Sequence, residues 1–190
     1  MTAPAALEFL LTRRSHPART LGLPVPDRAA LVPLLTAAAR SPDHGKLEPW
    51  RFVVLQRPAL ERLAGLARER GAALGLAPER IEKGVRQYAE AHLAVAVIAV
   101  PRPSASIPRI EQQLSAGAVC LALLNAALAA GWGANWLSGW AAHDPEFRSE
   151  GLGLGAEEFV AGVIHIGTPT AVPTERPRPD LGRLVTWIES

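Results

Sequence analysis

The segment from Leu93 to Val100, LAVAVIAV, constrains the fold of this chain most, because it is apolar throughout and shows no alternation. A run of this kind is either a strand buried on both faces or a fragment of a helix. Its length and its β-branched residues favour the strand. The rest of the chain must then supply the elements that bury it.

Three more segments are predicted as strands: Arg51–Leu55, which follows Pro49, then Ala134–Ser138 and Phe159–Ile166. The predicted helices are Ala5–Arg14, Asp27 as N-cap to about Arg40, Pro58–Arg70, Pro78–Glu90 and Leu114–Ala130. Strands separated by long helices predict a mixed α and β architecture, in which helices pack on a sheet of about four strands.

The segment between residues 57 and 90 contains two of these helices, joined by a stretch of small residues from Gly71 to Ala77. Small residues at a junction between helices favour movement of one element against its neighbours. We therefore expect this segment to form a mobile lid.

The segment Leu114–Ala130 is almost entirely apolar and small. It falls short of the roughly 20 clean apolar residues of a membrane span. A central helix that is buried on all sides is the preferred interpretation, and its alanine and glycine content permits close approach of another backbone.

The C-terminal segment lacks the continuous apolar character of this helix. The stretch from Thr168 to Pro179 is proline-rich without core periodicity, so it is predicted to be extended, and Leu181–Ile188 is predicted as an edge strand or a short helix. Such a tail has little to pack on within one domain. An arm that lies on a second subunit is one way to order it.

Composition limits the class of protein. With 190 residues, 48% of them apolar, the chain suffices for one well-packed domain over 1–190 and is too short for two comfortable ones. Its one cysteine, Cys120, lies inside an apolar run, so we expect a core residue and no disulfide framework. The histidines are far apart in sequence and none forms a helical pair with a carboxylate, so no metal site is predicted.

The distribution of charge along the chain limits the kinds of partner that this protein can bind. The formal net charge is +2, and basic residues are scattered among acidic ones rather than gathered in a stripe, which argues against a nucleic-acid partner. The first thirty residues carry charges and prolines instead of an uninterrupted apolar stretch, which argues against a signal peptide. We therefore expect a cytoplasmic protein with no membrane partner.

The polar motifs of the N-terminal half are Arg13-Arg14-Ser15 and the loop RSPDH from Arg40 to His44, which EPWRF (Glu48 to Phe52) follows at once. The guanidinium fork of arginine suits a dianionic phosphate, and serine offers a short donor and acceptor. The C-terminal half contributes Gly131-Trp132-Gly133, the strand end Trp136-Leu137-Ser138-Gly139, Gly167-Thr168-Pro169 and Arg176-Pro177-Arg178.

Together these motifs span nearly the whole chain. In their order and spacing they resemble the nitroreductase family, and in particular its shortest subgroup. The resemblance implies an α+β, nitroreductase-like fold, with a central mixed or antiparallel sheet of about four strands and flanking helices. It also implies an FMN cofactor and a homodimer in which the C-terminal extension reaches the partner subunit.

The resemblance implies a set of cofactor-binding residues. Arg13, Arg14 and Ser15 are expected at the phosphate and the ribityl chain or ring, and Arg176 and Arg178 are expected to help hold the phosphate. The backbone around Trp136, Leu137, Ser138 and Gly139 is expected at the N5 and O4 edge of the flavin. Arg40, Pro42, Asp43 and His44 are expected to meet the flavin that is bound mainly by the other subunit.

The implied activity is that of an FMN-dependent oxidoreductase, which transfers hydride from NAD(P)H to a nitroaromatic, a quinone or a similar small electron-poor acceptor. No catalytic side chain is predicted, because the flavin carries the chemistry. His44 is interpreted first as a flavin contact and second as a proton donor. Three tryptophans have two possible roles: they form a stacking wall, or at least two of them belong to the core. They are Trp132, Trp136 and Trp140. The alternatives are a specialised flavin dehalogenase or dehydrogenase, and a non-catalytic flavin-binding module.

Overall fold

The structure, a computed structural model, describes residues 5–189 and contains one five-stranded sheet in which every strand pair is antiparallel. The strands are β1 (Leu21–Gly22), β2 (Trp50–Gln56), β3 (Leu93–Ala99), β4 (Gly133–Leu137) and β5 (Phe159–Pro169). Strand β5 pairs with β3 and β4, β3 also pairs with β2, and β1 pairs with the last two residues of β5. The predicted α+β sheet is confirmed, and its fifth strand, β1, is too short for periodicity to reveal.

Strand β3 is the centre of the structure, and all seven of its residues are buried. Its side chains alternate between two separate apolar cores, one on each face of the sheet. Those facing the first core are Ala94, Ala96 and Ile98, and those facing the second are Leu93, Val95 and Val97. The prediction of a strand buried on both faces is confirmed.

Helices supply both covering layers. The α-helices of the described chain are α1 (Ala5–Thr12), α2 (Arg28–Ala38), α3 (Arg57–Ala73), α4 (Pro78–Ala89), α5 (Arg109–Ala129) and α6 (Leu181–Leu184), of which α2 to α5 cover the sheet. The side chain of Asp27 accepts a hydrogen bond of 2.8 Å from the backbone of Ala30, which confirms the predicted N-cap of α2. Helix α5 begins at Arg109 rather than at Leu114, because its first turns are polar and carry no apolar signal.

Helices α3 and α4 pack on one face of the sheet and form part of the first core. Leu60 and Leu63 of α3 are fully buried, as is Tyr88 of α4. The expectation that residues 57–90 form a mobile lid is therefore wrong for α3 and for the inner face of α4. Burial of a leucine side chain contributes about 1.5–3 kcal/mol, which an opening lid would lose.

Trp140 fills the junction between these two helices. Its indole lies against Gly84 of α4, where an added Cβ would clash with the ring, and near Gly71 of α3, where an added Cβ would lie 3.2 Å from it. The indole Nε1 donates a hydrogen bond of 3.1 Å to the carbonyl oxygen of Arg80. Trp140 thus has a packing role, as expected for at least two of the three tryptophans.

Helix α5 covers the opposite face with α2, and it is buried on one side only. Among residues 5–189 it is the one helix long and apolar enough to cross a membrane, with a mean hydropathy of 1.4. Its inner side packs on α2, β3, β4 and β5. Its outer side exposes Ile110, Leu114 and Leu121 at 57%, 66% and 47%, so the expectation of a helix buried on all sides is wrong for a single chain.

His165 is a titratable side chain near the middle of β5, and it is 2% exposed. Burial lowers the pKa of its imidazole from 6.5 to about 4, because the charged form loses its hydration. The folded protein therefore keeps this imidazole neutral down to that pH, whereas the unfolded chain protonates it below 6.5.

We predict that acid destabilises the protein through His165. Since the unfolded chain binds the proton more tightly, the free energy of unfolding falls by about 3 kcal/mol as pH drops from 6.5 to about 4. Urea denaturation of the wild type and of His165→Gln across this range measures the effect. Other acid-sensitive groups are common to both proteins, so the difference between the curves isolates His165. Parallel curves would contradict the assignment.

Candidate functional site

A cleft of about 610 Å³ lies where both ends of the chain meet strand β4. Its walls come from the segment that follows α1, from the second half of β4 and from the proline-rich tail. This first cleft brings together seven residues of the predicted site: Arg13, Arg14, Ser15, Trp136, Leu137, Arg176 and Arg178.

Backbone pairing fixes the chain after α1 against β4. The amide of His16 donates a hydrogen bond of 2.9 Å to the carbonyl of Ala134, and the side-chain amide of Asn135 donates one to the carbonyl of His16. On the other wall, the amide of Thr170 donates a hydrogen bond of 2.9 Å to the carbonyl of Thr20. These contacts set the two arginine-bearing segments on opposite walls of one cleft.

Four guanidinium groups line this cleft, and the Glu175 carboxylate pairs with two of them. Glu175 lies 2.6 Å from Arg14 and 3.2 Å from Arg178. Arg13 donates a 2.8 Å hydrogen bond to Ser15, while its Nε is buried without a partner among the described residues. Burial, then the charges of Arg178 and Arg14, lower the pKa of Arg13 below its usual range. An excess of positive charge and a buried donor without a partner fit a phosphate dianion.

A second cleft of about 740 Å³ continues along the same strand. It shares Pro17, Asn135, Trp136 and Leu137 with the first cleft, and the predicted residues Ser138 and Gly139 line only the second. Gly139 has φ of +96°, a left-handed conformation that favours glycine and leaves the backbone exposed to the cleft. The predicted flavin-edge residues therefore form one continuous wall.

The second cleft also contains residues that sequence reasoning missed. The α4 residues Lys83, Arg86, Gln87 and Glu90 line it, as do Arg19 and His165. The four helical positions are spaced i, i+3, i+4 and i+7, so they occupy one face of α4. That polar stripe was visible in the sequence, but only the position of α4 across the cleft from β4 makes it a cleft wall.

Of the three candidate tryptophans, Trp136 lines both clefts. Its indole lies over Gly162 of β5, where an added Cβ would clash with the ring. Trp132 packs against the second core and Trp140 lies between α3 and α4. Trp136, which is 38% exposed, is therefore the one tryptophan of these three that lines the two clefts.

The loop residues Pro42, Asp43 and His44 lie in a third, shallow cleft against the first turns of α5. His44 Nδ1 lies 2.6 Å from the Glu111 carboxylate, and the Ser115 hydroxyl donates a 2.8 Å hydrogen bond to the carbonyl of Pro42. This cleft shares no lining residue with the other two.

Arg40 is the remaining predicted residue, and it is exposed outside these three clefts of the described chain. Within one chain, the structure therefore brings together the predicted residues at the two ends and along β4. It leaves the loop residues from 40 to 44 apart from them.

Comparison with known proteins identifies the fold. Residues 10–168 match the model of the nitroreductase family. An Escherichia coli (strain K12) protein named "Putative NAD(P)H nitroreductase YdjA" is 34% identical over 164 residues, which cover 86% of this chain and 88% of that protein.

Two solved structures share the architecture. The nitroreductase-like family protein from Bacillus cereus has a TM-score of 0.81 at 24% identity, covering 100% of this chain and 99% of its own. A Desulfovibrio desulfuricans protein described as a "putative nitroreductase", solved in complex with FMN, has a TM-score of 0.75 at 23% identity, covering 98% of each chain. The sequence resemblance is confirmed, and the chain belongs to the nitroreductase family.

Proposed function

We propose that this protein is a cytoplasmic, FMN-dependent NAD(P)H oxidoreductase that transfers hydride to a nitroaromatic, a quinone or a similar small electron-poor acceptor. The observation that carries the proposal is the convergence of Arg13, Arg14, Arg176 and Arg178 on one cleft. The E. coli relative named for NAD(P)H nitroreduction and the FMN complex of a protein with the same fold support it.

The first cleft would hold the phosphate of FMN. Arg13 presents a buried Nε that has no partner in the described chain, and Ser15 is held beside it by a hydrogen bond of 2.8 Å. Arginine binds phosphate through two parallel N–H donors, which fixes the orientation of the group as well as its charge. Arg176 and Arg178 on the opposite wall add charge without contributing to the core.

The wall from Trp136 to Gly139, which begins in both clefts and continues along the second, would hold the flavin ring. Gly139 is exposed and has no side chain, so its backbone groups are accessible there, and Trp136 offers an aromatic surface. When bound, FMN supplies the hydride chemistry, accepting from the nicotinamide and donating to the acceptor. The cationic side chains that line the two clefts favour the negative charge that reduction places on the flavin ring.

We further propose that the active unit is a homodimer. One chain leaves two apolar surfaces uncovered: the outer side of α5, and the C-terminal residues Leu184, Trp187 and Ile188. Among the described residues, strand β2 pairs only with β3, so its outer edge is free to accept another strand. Beside that edge lies an apolar groove of about 390 Å³.

The third cleft explains why a dimer would complete the site. Leu114, from the exposed stripe of α5, lines it together with His44. A partner that covers the stripe would therefore lie directly against the loop residues Pro42, Asp43 and His44. This arrangement would bring that loop to the cofactor of the other subunit.

The phosphate assignment predicts that Arg13→Ala weakens FMN binding by roughly tenfold to a hundredfold, since a charge-assisted hydrogen bond contributes about 1.5–3 kcal/mol. Titration of the flavin-free protein with FMN, followed by fluorescence and by thermal melting, measures the loss. Riboflavin has the same ring without the phosphate and should protect the wild type far less than FMN. FAD should also protect less, because its phosphate is joined through a pyrophosphate to a bulky adenosine and is no longer a terminal dianion.

Arg68→Ala is the matched control for this titration. Arg68 is exposed on α3 and pairs with Glu82 at 3.2 Å, so its removal should leave FMN affinity unchanged. Equal losses of FMN affinity in the two variants would contradict the assignment of the phosphate to the first cleft. Equal thermal stabilisation by FMN and riboflavin would contradict it as well.

The enzymatic assignment predicts that NADH or NADPH, added without oxygen, bleaches the yellow FMN-loaded protein, and that a nitroaromatic or quinone restores the colour. Absorption spectroscopy under anaerobic conditions records both steps. Retention of the oxidised spectrum with both nicotinamides would instead identify a flavin-binding module.

The dimer predicts that Leu114→Glu produces a monomer with weakened FMN binding, because a carboxylate cannot be buried against a partner without a counter-charge. Sedimentation with absorption detection measures mass and bound flavin together. Leu74→Glu, in the exposed turn between α3 and α4, is the control and should remain dimeric. A flavin-loaded wild-type monomer would rule out the interfacial site.

A further inference from the structure

One histidine of the described chain is paired with a carboxylate. His44 Nδ1 lies 2.6 Å from a carboxylate oxygen of Glu111, which stands in the first turn of α5, and the remaining histidines of residues 5–189 form no ion pair. The second ring nitrogen, Nε2, forms no hydrogen bond within the same residues. A carboxylate that accepts from one ring nitrogen fixes the tautomer and the orientation of an imidazole. Glu111 therefore leaves Nε2 available for a different partner.

The loop that carries His44 is held in an unusual backbone conformation. Lys46 and Glu48 have φ of +54° and +47°, and no other non-glycine residue between 5 and 189 has a positive φ. The amide of Glu48 donates a hydrogen bond of 2.7 Å to the Asp43 carboxylate, and the Ser115 hydroxyl donates one of 2.8 Å to the loop backbone. Backbone strain persists where the surroundings over-determine it, and it clusters at functional sites. These contacts fix the position of His44 on the surface.

The third cleft surrounds the pair with apolar surface. Leu114 and Ala118 of α5 line it, and Leu114 is 66% exposed in a single chain. The side chains of His44 and Glu111 are themselves 62% and 44% exposed, and ion pairs with such exposure contribute little to stability. The homodimer proposed above would cover this surface and bring the pair to the cofactor of the other subunit.

We propose that His44 is the proton donor to the acceptor at the flavin of the other subunit, and that Glu111 is the positioning residue that orients it. The proposal rests on the oxidoreductase function and on the homodimer proposed above, and it adds the source of the proton. It concerns the third cleft, which shares no lining residue with the clefts assigned to FMN.

The proton balance of the reaction shows where such a donor acts. Reduction of a quinone to a hydroquinone takes up two electrons and two protons, of which a hydride supplies both electrons and one proton. The second proton passes from Nε2 of the His44 imidazolium to the quinone oxygen, so that the N–H bond breaks and an O–H bond forms. The neutral imidazole then takes up a proton from solvent. With the proton on Nδ1 held by Glu111, only the imidazolium carries a proton on Nε2, so the step slows as pH rises.

The groups around His44 make its imidazole identifiable in a pH profile. Glu111 on α5 and Asp43 line the same cleft, and Lys46 and Glu48 follow in the loop. These neighbours are carboxylic acids and an amine, whereas imidazole is the side chain that ordinarily titrates near neutral pH.

The first test measures the pH dependence of acceptor reduction. FMN-loaded protein, reduced without oxygen, is mixed rapidly with benzoquinone, and reoxidation is followed by absorption from about pH 5 to pH 8. The wild-type rate should fall across this range. His44→Gln should abolish the pH dependence and lower the rate at the acid end by about a hundredfold, the lower limit of the usual contribution of a general acid. Glu111→Ala should lower it by about tenfold.

Ferricyanide is the control acceptor, because it takes electrons without a proton. Both variants should reoxidise with ferricyanide at the wild-type rate. The matched control variants are His143→Gln, at an exposed histidine outside the three clefts, and Glu157→Ala, which removes an exposed carboxylate that pairs with Arg109 of α5 at 2.8 Å. Both controls should reduce benzoquinone like the wild type.

A second readout is independent of activity. In FMN-loaded, isotope-labelled protein, nitrogen NMR identifies which ring nitrogen of each histidine carries the proton, and the signals lost in His44→Gln belong to His44. The neutral wild-type ring should carry its proton on Nδ1. In Glu111→Ala the proton should move to Nε2, which neutral histidine prefers in water.

Mixed dimers test the subunit arrangement. Chains with Arg13→Ala are combined with chains with His44→Gln at an FMN concentration too low to load Arg13→Ala dimers. If His44 acts across the interface, each mixed dimer has one site with both residues intact and one with neither, so it should recover about half of the wild-type rate with benzoquinone. If His44 acts within its own chain, both sites are defective and the rate stays low.

The same pH profile in His44→Gln and the wild type would overturn the proposal. So would equal losses with benzoquinone and ferricyanide, which would make His44 a flavin contact, and mixed dimers that recover no activity. An unchanged tautomer in Glu111→Ala would overturn the role of Glu111. A wild type that no quinone reoxidises would show instead that the oxidoreductase proposal has failed, and the proton step would fail with it.

Discussion

The burial of strand β3 on both faces is the constraint on which the rest of the structure depends. Its backbone pairs with β2 on one side and β5 on the other, so every polar group of the strand can be satisfied without water. Its side chains then require an apolar layer on each face, which α3 and α4 supply on one side and α2 and α5 on the other. The centre of the sheet is thereby closed, and the two clefts that share Trp136 and Leu137 lie at its margin, along β4.

Convergence of the chain ends builds the site at that margin. Strand β1 pairs with the last residues of β5, and Thr170 continues the pairing by bonding to Thr20, so the tail departs beside the turn that follows α1. This long-range pairing brings Arg13 and Arg176 to one cleft, although neither contributes to either core. The positions of the arginines therefore depend on backbone pairing rather than on apolar packing. Substitutions among them should alter binding more than folding.

Local signals predicted much of this fold and only the outline of the site. The unbroken apolar run at Leu93–Val100 and the N-cap at Asp27 act through neighbouring residues, so both were predictable from the sequence. The start of α5 at Arg109 was missed because its first turns are polar. The core role of α3 was missed because it depends on how Leu60 and Leu63 pack on the sheet. Lys83 and Arg86 were missed for a similar reason, since only the distant strand β4 makes their side of α4 a cleft wall.

The distribution of unpartnered polar atoms links stability to binding. Of seven buried side-chain polar atoms without a partner among the described residues, three belong to residues that line the two clefts: Arg13, Gln87 and His165. Sequences that fold to one structure normally satisfy such atoms, and they depart from that rule mainly where function requires it. Part of the energetic cost of unpartnered atoms in the described chain therefore lies beside the clefts, at these three residues. Because a ligand that supplies the missing bonds recovers that cost, binding to these clefts and folding of the chain must be thermodynamically coupled.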